Sequence, residues 1–365
     1  MRTSLPSELA HSPRLDRVRS IQYLRAVAAL SVVAYHASKR VDEAFSDTVI
    51  DIFFLGHGGV DLFFVISGFI MWSIGCTAPR SPGTFLMRRA IRVIPPYWIA
   101  TTGWVVLMLA LGVGWIVITP AHVVQSLLFI PHWSPTFSET FWPVLVPGWT
   151  LLFEMFFYAL FALTLLVAQA WRLIALCSLL LGLVGLGWLL QPASAAMQAY
   201  TSPLLLEFLA GCLIAEIWRR GMSGLWPGIV MLIGGLLVLV LLAPMAVPDQ
   251  TSWSRPLTFG LAGALIVGGC VCMERYWPDL PLLERLGDAS YAIYLFHLFV
   301  VHVFAVAWQQ LPMVDNAVGA FGFILLCLFA SSLMGLWLYT NVERPLQKRL
   351  NAGWSQRPKN ARAER

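Results

Sequence analysis

An arginine and a histidine stand eleven residues apart inside the first apolar stretch of the chain, residues 21–39, IQYLRAVAALSVVAYHASK. At about 100° per residue, the step from Arg25 to His36 is three turns plus roughly 20°, so both leave one face of a helix, about 16 Å apart along its axis. Ala28, Ala29, Val32 and Val33 lie between them and leave room for a second helix or an extended ligand. A cation and an imidazole in an apolar helix need partners, so this face should look into a polar interior and not into lipid. A neutral imidazole near pH 7 suits the work of a general base toward a hydroxyl. The alternative is that His36 is simply a helix-end residue.

Three further groups could share that chemistry. Asp61 ends GHGGVD (residues 56–61), at the rim of the next apolar run. It can hold His36 or a sugar hydroxyl, or serve only as a helix N-terminal acid favoured by the macrodipole. Arg88, Arg89 and Arg92 cluster in RRAIRVIPPYW (residues 88–98), and the i, i+4 spacing puts Arg88 and Arg92 on one face. Such a cluster binds phosphate bidentately, or else anchors the chain to anionic lipid. Glu154 lies within the apolar run GWTLLFEMFFYALF, where a carboxylate can orient His36, pair with Arg25, bind acceptor hydroxyls, or form a structural ion pair. Tyr291, Tyr294 and His297 form a polar stripe that reads as hydrogen-bonding glue, with His297 a second functional histidine in the alternative. Glu207 and Glu216 read as structural, and Glu343 as a partner of one of the arginines. The six cysteines have no metal spacing, and Cys270 and Cys272 face roughly 200° apart on a helix, so no metal site is expected.

The elements that position these groups follow from composition. The 365 residues are 58% hydrophobic and only 12% charged, far from the quarter typical of soluble domains. Apolar runs approach the ~20 residues that cross a bilayer. The expected fold is an all-α polytopic membrane protein of about ten transmembrane helices, at 20–39, 52–75, 94–113, 147–168, 173–191, 202–218, 225–243, 256–273, 289–308 and 317–340. Pro95 and Pro96 restart the chain into the third of these. The segment after Thr119 is too short to span and suits a re-entrant or interfacial position. With the N-terminus inside, inner segments hold 20 of the 24 Lys and Arg, outer segments only Lys39, Arg40 and Arg255, with Arg25 intramembrane. Both termini are therefore expected in the cytoplasm. The expected layout is a cytoplasmic segment 1–19, a membrane domain 20–345 and a basic tail 346–365, disordered beyond residue 350. The first helix should stay in place as an anchor, since no cleavable signal precedes it. The net charge of +5 follows from this asymmetry, so no nucleic-acid partner is expected.

Taken together and in order, LRAVAALSVVAYH, GGVDLFFVISGF, RRAIRVIPPYW, WTLLFEMFFY, GDASYAIYLFH and the closing ERP resemble the membrane-bound acyltransferase family 3, which O-acylates carbohydrates. The resemblance spans residues 24–345 and is nearest to the bacterial exopolysaccharide (succinoglycan) O-acetyltransferase branch, with Leu152 or Phe153 where that branch has Asn. It implies acyl-CoA, most simply acetyl-CoA, as cytoplasmic co-substrate and no metal. It implies a polysaccharide or lipid-linked oligosaccharide acceptor, company with polysaccharide biosynthesis machinery, and the bacterial inner membrane. Carried over by position, His36 is the catalytic histidine, Arg25 its motif partner, Arg88, Arg89 and Arg92 the donor-side arginines, and Glu154 the acid of the fourth helix, beside Asp61. His36 then acts as base or as acyl carrier, with backbone N–H groups of residues 56–59 as oxyanion donors. A transporter or flippase, or a non-catalytic partner of a polysaccharide synthase, are the rival readings.

Overall fold

The computed structural model describes residues 18–44, 51–77, 81–112, 116–246, 249–308 and 317–360. Residues 1–17 and 361–365, which belong to the expected N-terminal segment and basic tail, lie outside them. The described residues form helices and no strand. Each of the ten apolar segments contains a helix: α1 (Arg19–Ala44), α2 (Gly59–Thr77), α3 (Pro82–Ala110), then α5 (Gly148–Thr164), α6 (Gln169–Leu190), α8 (Leu205–Arg219), α9 (Leu225–Leu242), α10 (Leu261–Cys272), α12 (Ser290–Trp308) and α13 (Ala317–Leu338). The short helices α4 (Pro120–Leu127), α7 (Ala195–Tyr200) and α11 (Pro281–Asp288) link them, and α14 (Arg344–Asn360) follows α13. Among the described residues, seven helical stretches are long and apolar enough to cross a membrane, whereas Gly148–Thr164 and Pro256–Cys272 are shorter. The two most apolar, containing α6 and α9, are the least buried, with Leu189, Trp226 and Val230 facing outward. Apolar helices left uncovered in this way belong in lipid.

α1 is the hub, packed against α2, α10, α11, α12 and α13. α2, one of its neighbours, crosses α8 tightly. A Cβ at Gly211 would lie 1.9 Å from Val65 O, so only glycine permits this approach. Around the crossing, Phe64, Phe69, Phe153, Phe157, Phe161 and Phe208 are buried in one aromatic core.

Two expectations need correction. Pro95 and Pro96 do not restart the chain: α3 runs through both, so the arginine cluster and the following span form one rod. Membrane helices tolerate proline where neighbouring groups satisfy the freed backbone; Pro95 and Pro96 free the carbonyls of Ile91 and Arg92, and one position further on Tyr291 donates its hydroxyl to Val93 O at 2.7 Å. The tail expected to be disordered beyond residue 350 is helical through Asn360. Its first turns hold Leu, Gln, Lys and Arg, all good helix formers, and it packs against α3. The segment after Thr119 forms α4, capped by the Thr119 hydroxyl and held to α3 by Tyr97 and Trp98, which donate to Ser126 O and Leu127 O.

Candidate active site

His36 emerges from α1 opposite α12, where it meets His297. The His297 ring is wholly buried, and its Nδ1 lies 2.6 Å from Tyr294 O. A carbonyl only accepts, so this nitrogen carries the proton and the lone pair of the neutral ring is on Nε2. His297 Nε2 is 3.2 Å from His36 Nδ1, which is also 3.0 Å from Val32 O. His36 Nδ1–H therefore donates to both, and its own lone pair falls on Nε2. That nitrogen is left for the cavity which His36 lines. Two backbone carbonyls thus fix the tautomers of two histidines 261 positions apart, and the lone pair of the outer one, His36, is on Nε2.

The cavity is about 480 Å³ and is walled by aromatic residues including Trp104, Trp142 and Trp149. Asp61 does not hold His36. It is fully buried and accepts a bidentate pair from Arg255, Nε to Oδ1 at 2.8 Å and Nη2 to Oδ2 at 2.9 Å. The Arg255 guanidinium lies 5.1 Å from the Trp149 ring centre and lines the cavity. Glu207 is buried beside this pair, its carboxyl within reach of both Asp61 and Arg255. The glycines of residues 56–59 serve packing: a Cβ at Gly56 would lie 2.3 Å from Ser31 O. Arg255 is a charged donor on this wall, held in place by its ion pair with Asp61.

A second, narrower cavity of about 80 Å³ lies toward the other end of α1, lined by Arg25, Arg89, Arg92, Glu154, Tyr158, Tyr291 and Tyr294. Val60 and Tyr294 line both cavities and form the partition between them. Tyr294 is held there by Thr150 Oγ1 and Pro147 O, each at 3.0 Å. Arg25 donates to Gln22 at 2.9 Å, with Arg92, Asp288 and Glu343 as its charged neighbours. Glu154 accepts from Ser67 at 3.2 Å and from the Tyr158 hydroxyl, and pairs with neither Arg25 nor His36. Arg89 keeps a buried Nε without a hydrogen-bond partner among the described residues. Arg88 is exposed and absent from this lining. The cavity face of α3 is thus the i, i+3 pair Arg89 and Arg92, not the i, i+4 pair. Glu343 is buried and bonded to Gln347, within the electrostatic reach of Arg92 and Arg25.

Sequence reasoning placed Arg255 in an outer loop and gave it no role, and it took His297 as glue. The stripe Tyr291, Tyr294, His297 held the signal for the second: all three positions reach the two cavities or His36. For Arg255 the signal was weaker, a rare cation opposite the equally rare Asp61. Among the described residues, no cluster of His, Cys, Asp and Glu could hold a metal ion.

The acyltransferase domain family matches residues 18–339. The exopolysaccharide production protein ExoZ of Rhizobium meliloti (strain 1021) is 38% identical over 318 residues, covering 86% of this chain and 94% of its own. The acyltransferase MdmB of Streptomyces mycarofaciens is 27% identical over 335 residues, covering 79% of this chain and 80% of its own. No solved structure matches the chain.

Proposed function

This chain belongs to the membrane-bound acyltransferase family 3, and we propose that it moves an acyl group, most simply acetyl, from acyl-CoA to a hydroxyl of an exopolysaccharide or of its lipid-linked precursor. The single observation that carries this reading is the His36–His297 relay, which leaves an unprotonated imidazole nitrogen at the wall of a cavity large enough for a sugar. The similarity to an exopolysaccharide production protein supports the choice of acceptor.

In this reading the two cavities receive the two substrates. Arg89 and Arg92 face the phosphates of the donor, and the unpartnered Nε of Arg89 is a donor group in want of an anion. The narrow cavity admits a chain and not a nucleotide, so the pantetheine arm would pass Arg25 and bring the thioester to Tyr294 and Val60. The acceptor sugar enters from the His36 side. His36 Nε2 takes the proton of its hydroxyl as the oxygen attacks the thioester carbonyl. The tetrahedral oxyanion forms beside the Arg255 N–H groups, which Asp61 and Trp149 hold in place before reaction, as electrostatic preorganisation requires. Collapse breaks the C–S bond, and His36 returns the proton to the leaving thiolate. Base catalysis of this kind contributes typically about 10²- to 10⁴-fold.

The same reading places ten spans in the bacterial inner membrane with both termini cytoplasmic, and residues 20–345 as the catalytic domain. The test compares O-acyl content of surface polysaccharide, by NMR, in a deletion strain complemented with wild type or His36→Ala at equal protein level. Loss of one ester signal in both deletion and variant is expected. Full acylation with His36→Ala refutes the assignment of the base.

A further inference from the structure

A third cavity, of about 310 Å³, lies where α6 ends and α7 begins, and the connection from α9 to α10 reaches it with Thr251 and Trp253. Gly187 brings α6 close to this connection's neighbour Thr201: a Cβ at residue 187 would lie 2.5 Å from Thr201 Oγ1. Two indoles line the cavity, Trp188 and Trp253, and they are 67% and 40% exposed, so both are open to a ligand. The polar lining is uncharged: Gln191, Gln198, Thr201, Ser202 and Thr251. Gln198 Nε2 donates to Pro192 O at 2.8 Å. The hydroxyls of Thr201 and Thr251 donate to Met197 O and to Asp249 Oδ2, each at 2.6 Å. Each of these three side chains keeps an acceptor oxygen for a ligand, and the indole N–H groups supply donors. No charged residue is found among the described lining residues.

This combination fits a sugar ring. The C–H face of the ring packs on an indole, and its hydroxyls both donate and accept. An acyl chain would leave the amides and hydroxyls unmatched, and an anion would meet no cation on this lining. The turn that ends α6 adds a separate observation. Gln191 is left-handed there, with φ 43°, where glycine is the usual residue. The turn therefore gains nothing from the Gln191 side chain, which is exposed and lines the cavity.

The third cavity shares a wall with the His36 cavity. Ser202 Oγ donates to Gln250 O at 2.7 Å, and Gln250 lines the His36 cavity. Along the same connection, Gln250 and Arg255 line the His36 cavity while Thr251 and Trp253 line the other. We infer that the third cavity is a second glycan subsite, which holds an uncharged sugar unit of the chain whose acceptor unit lies at His36. Only the placing of an acceptor unit at His36 rests on the acyl-transfer reading. Two occupied subsites on one glycan raise its affinity through effective concentration, with no new contact at the reacting hydroxyl.

The test is calorimetric titration of the purified full-length protein with the repeat oligosaccharide of the producing cell's exopolysaccharide, stripped of esters. Trp188→Ala and Trp253→Ala should each weaken binding by about tenfold, the usual effect of losing an aromatic anchor. The loss should not change with added salt, since no charge is involved. Gln191→Gly removes a lining side chain at a backbone position that glycine prefers, so the fold is kept, and binding should weaken several-fold. In turnover, the same variants should raise the KM for the oligosaccharide and leave kcat unchanged. Wild-type affinity in all three variants, or no binding by the wild-type protein, overturns the inference, and the first result would make Trp188 and Trp253 membrane-interface anchors. If the tryptophan variants do not fold, Gln191→Gly decides, and unchanged affinity in it overturns the inference. Binding that depends on these residues without any acyl transfer from acyl-CoA would strike the catalytic reading and leave this one standing.

Discussion

Replacing His297 by alanine removes the acceptor 3.2 Å from His36 Nδ1 but leaves Val32 O at 3.0 Å. One of two hydrogen bonds that hold the catalytic tautomer is therefore lost. A neutral hydrogen bond contributes about 0.5–1.5 kcal/mol net, and about 1.4 kcal/mol is tenfold in rate. The expected effect is a fall in kcat of about two- to tenfold with little change in KM, since His297 is wholly buried and meets His36 instead of the substrate. His36→Ala, which removes the base itself, should cost about 10²- to 10⁴-fold. His297→Gln restores an acceptor oxygen near the lost Nε2 and should recover much of the alanine defect. The assay is release of free CoA thiol by purified protein given acyl-CoA and de-esterified polysaccharide, with variants matched for folded protein. Wild-type kcat in His297→Ala refutes the relay. Glutamine no better than alanine means that His297 acts through packing alone.

Two other perturbations test the surroundings. Asp61→Asn removes the bidentate partner of the buried Arg255 guanidinium and leaves Glu207 as the nearby carboxylate; breaking a buried pair from one side costs up to about 3–5 kcal/mol. A clear drop in thermal unfolding temperature in detergent is expected, and unchanged stability would mean that the pair is not closed in the native protein. On α3, Arg89→Gln and Arg92→Gln should raise the KM for acyl-CoA several-fold, whereas Arg88→Gln, on the exposed side of the helix, should leave it alone. Equal effects of all three substitutions would point to a diffuse lipid-surface charge in place of a donor site.

The helices were legible because hydropathy is a local property. Each apolar run must satisfy its own backbone hydrogen bonds and bury its side chains in protein or in lipid, and its length decides whether it can cross a bilayer. The same locality made Arg25 and His36 readable as one face, since helical phase is set by the 3.6-residue period alone. It failed at Pro95 and Pro96, where the rule for isolated helices predicts a break and α3 instead continues, packed against α5 and α12 of the bundle. It also misjudged Arg88 and Arg92: spacing says which residues share a face, but not which face the bundle turns inward.

Local chain properties were enough for an all-helical apolar chain, a histidine and an arginine on one stripe of the first helix, and the ordered motifs of its family. The tertiary structure alone decided the partners: Arg255 for Asp61, 194 positions away, and His297 for His36, 261 positions away. The physical reason is that ion pairs and hydrogen bonds between helices are chosen by how the helices pack. No period along the chain records that choice.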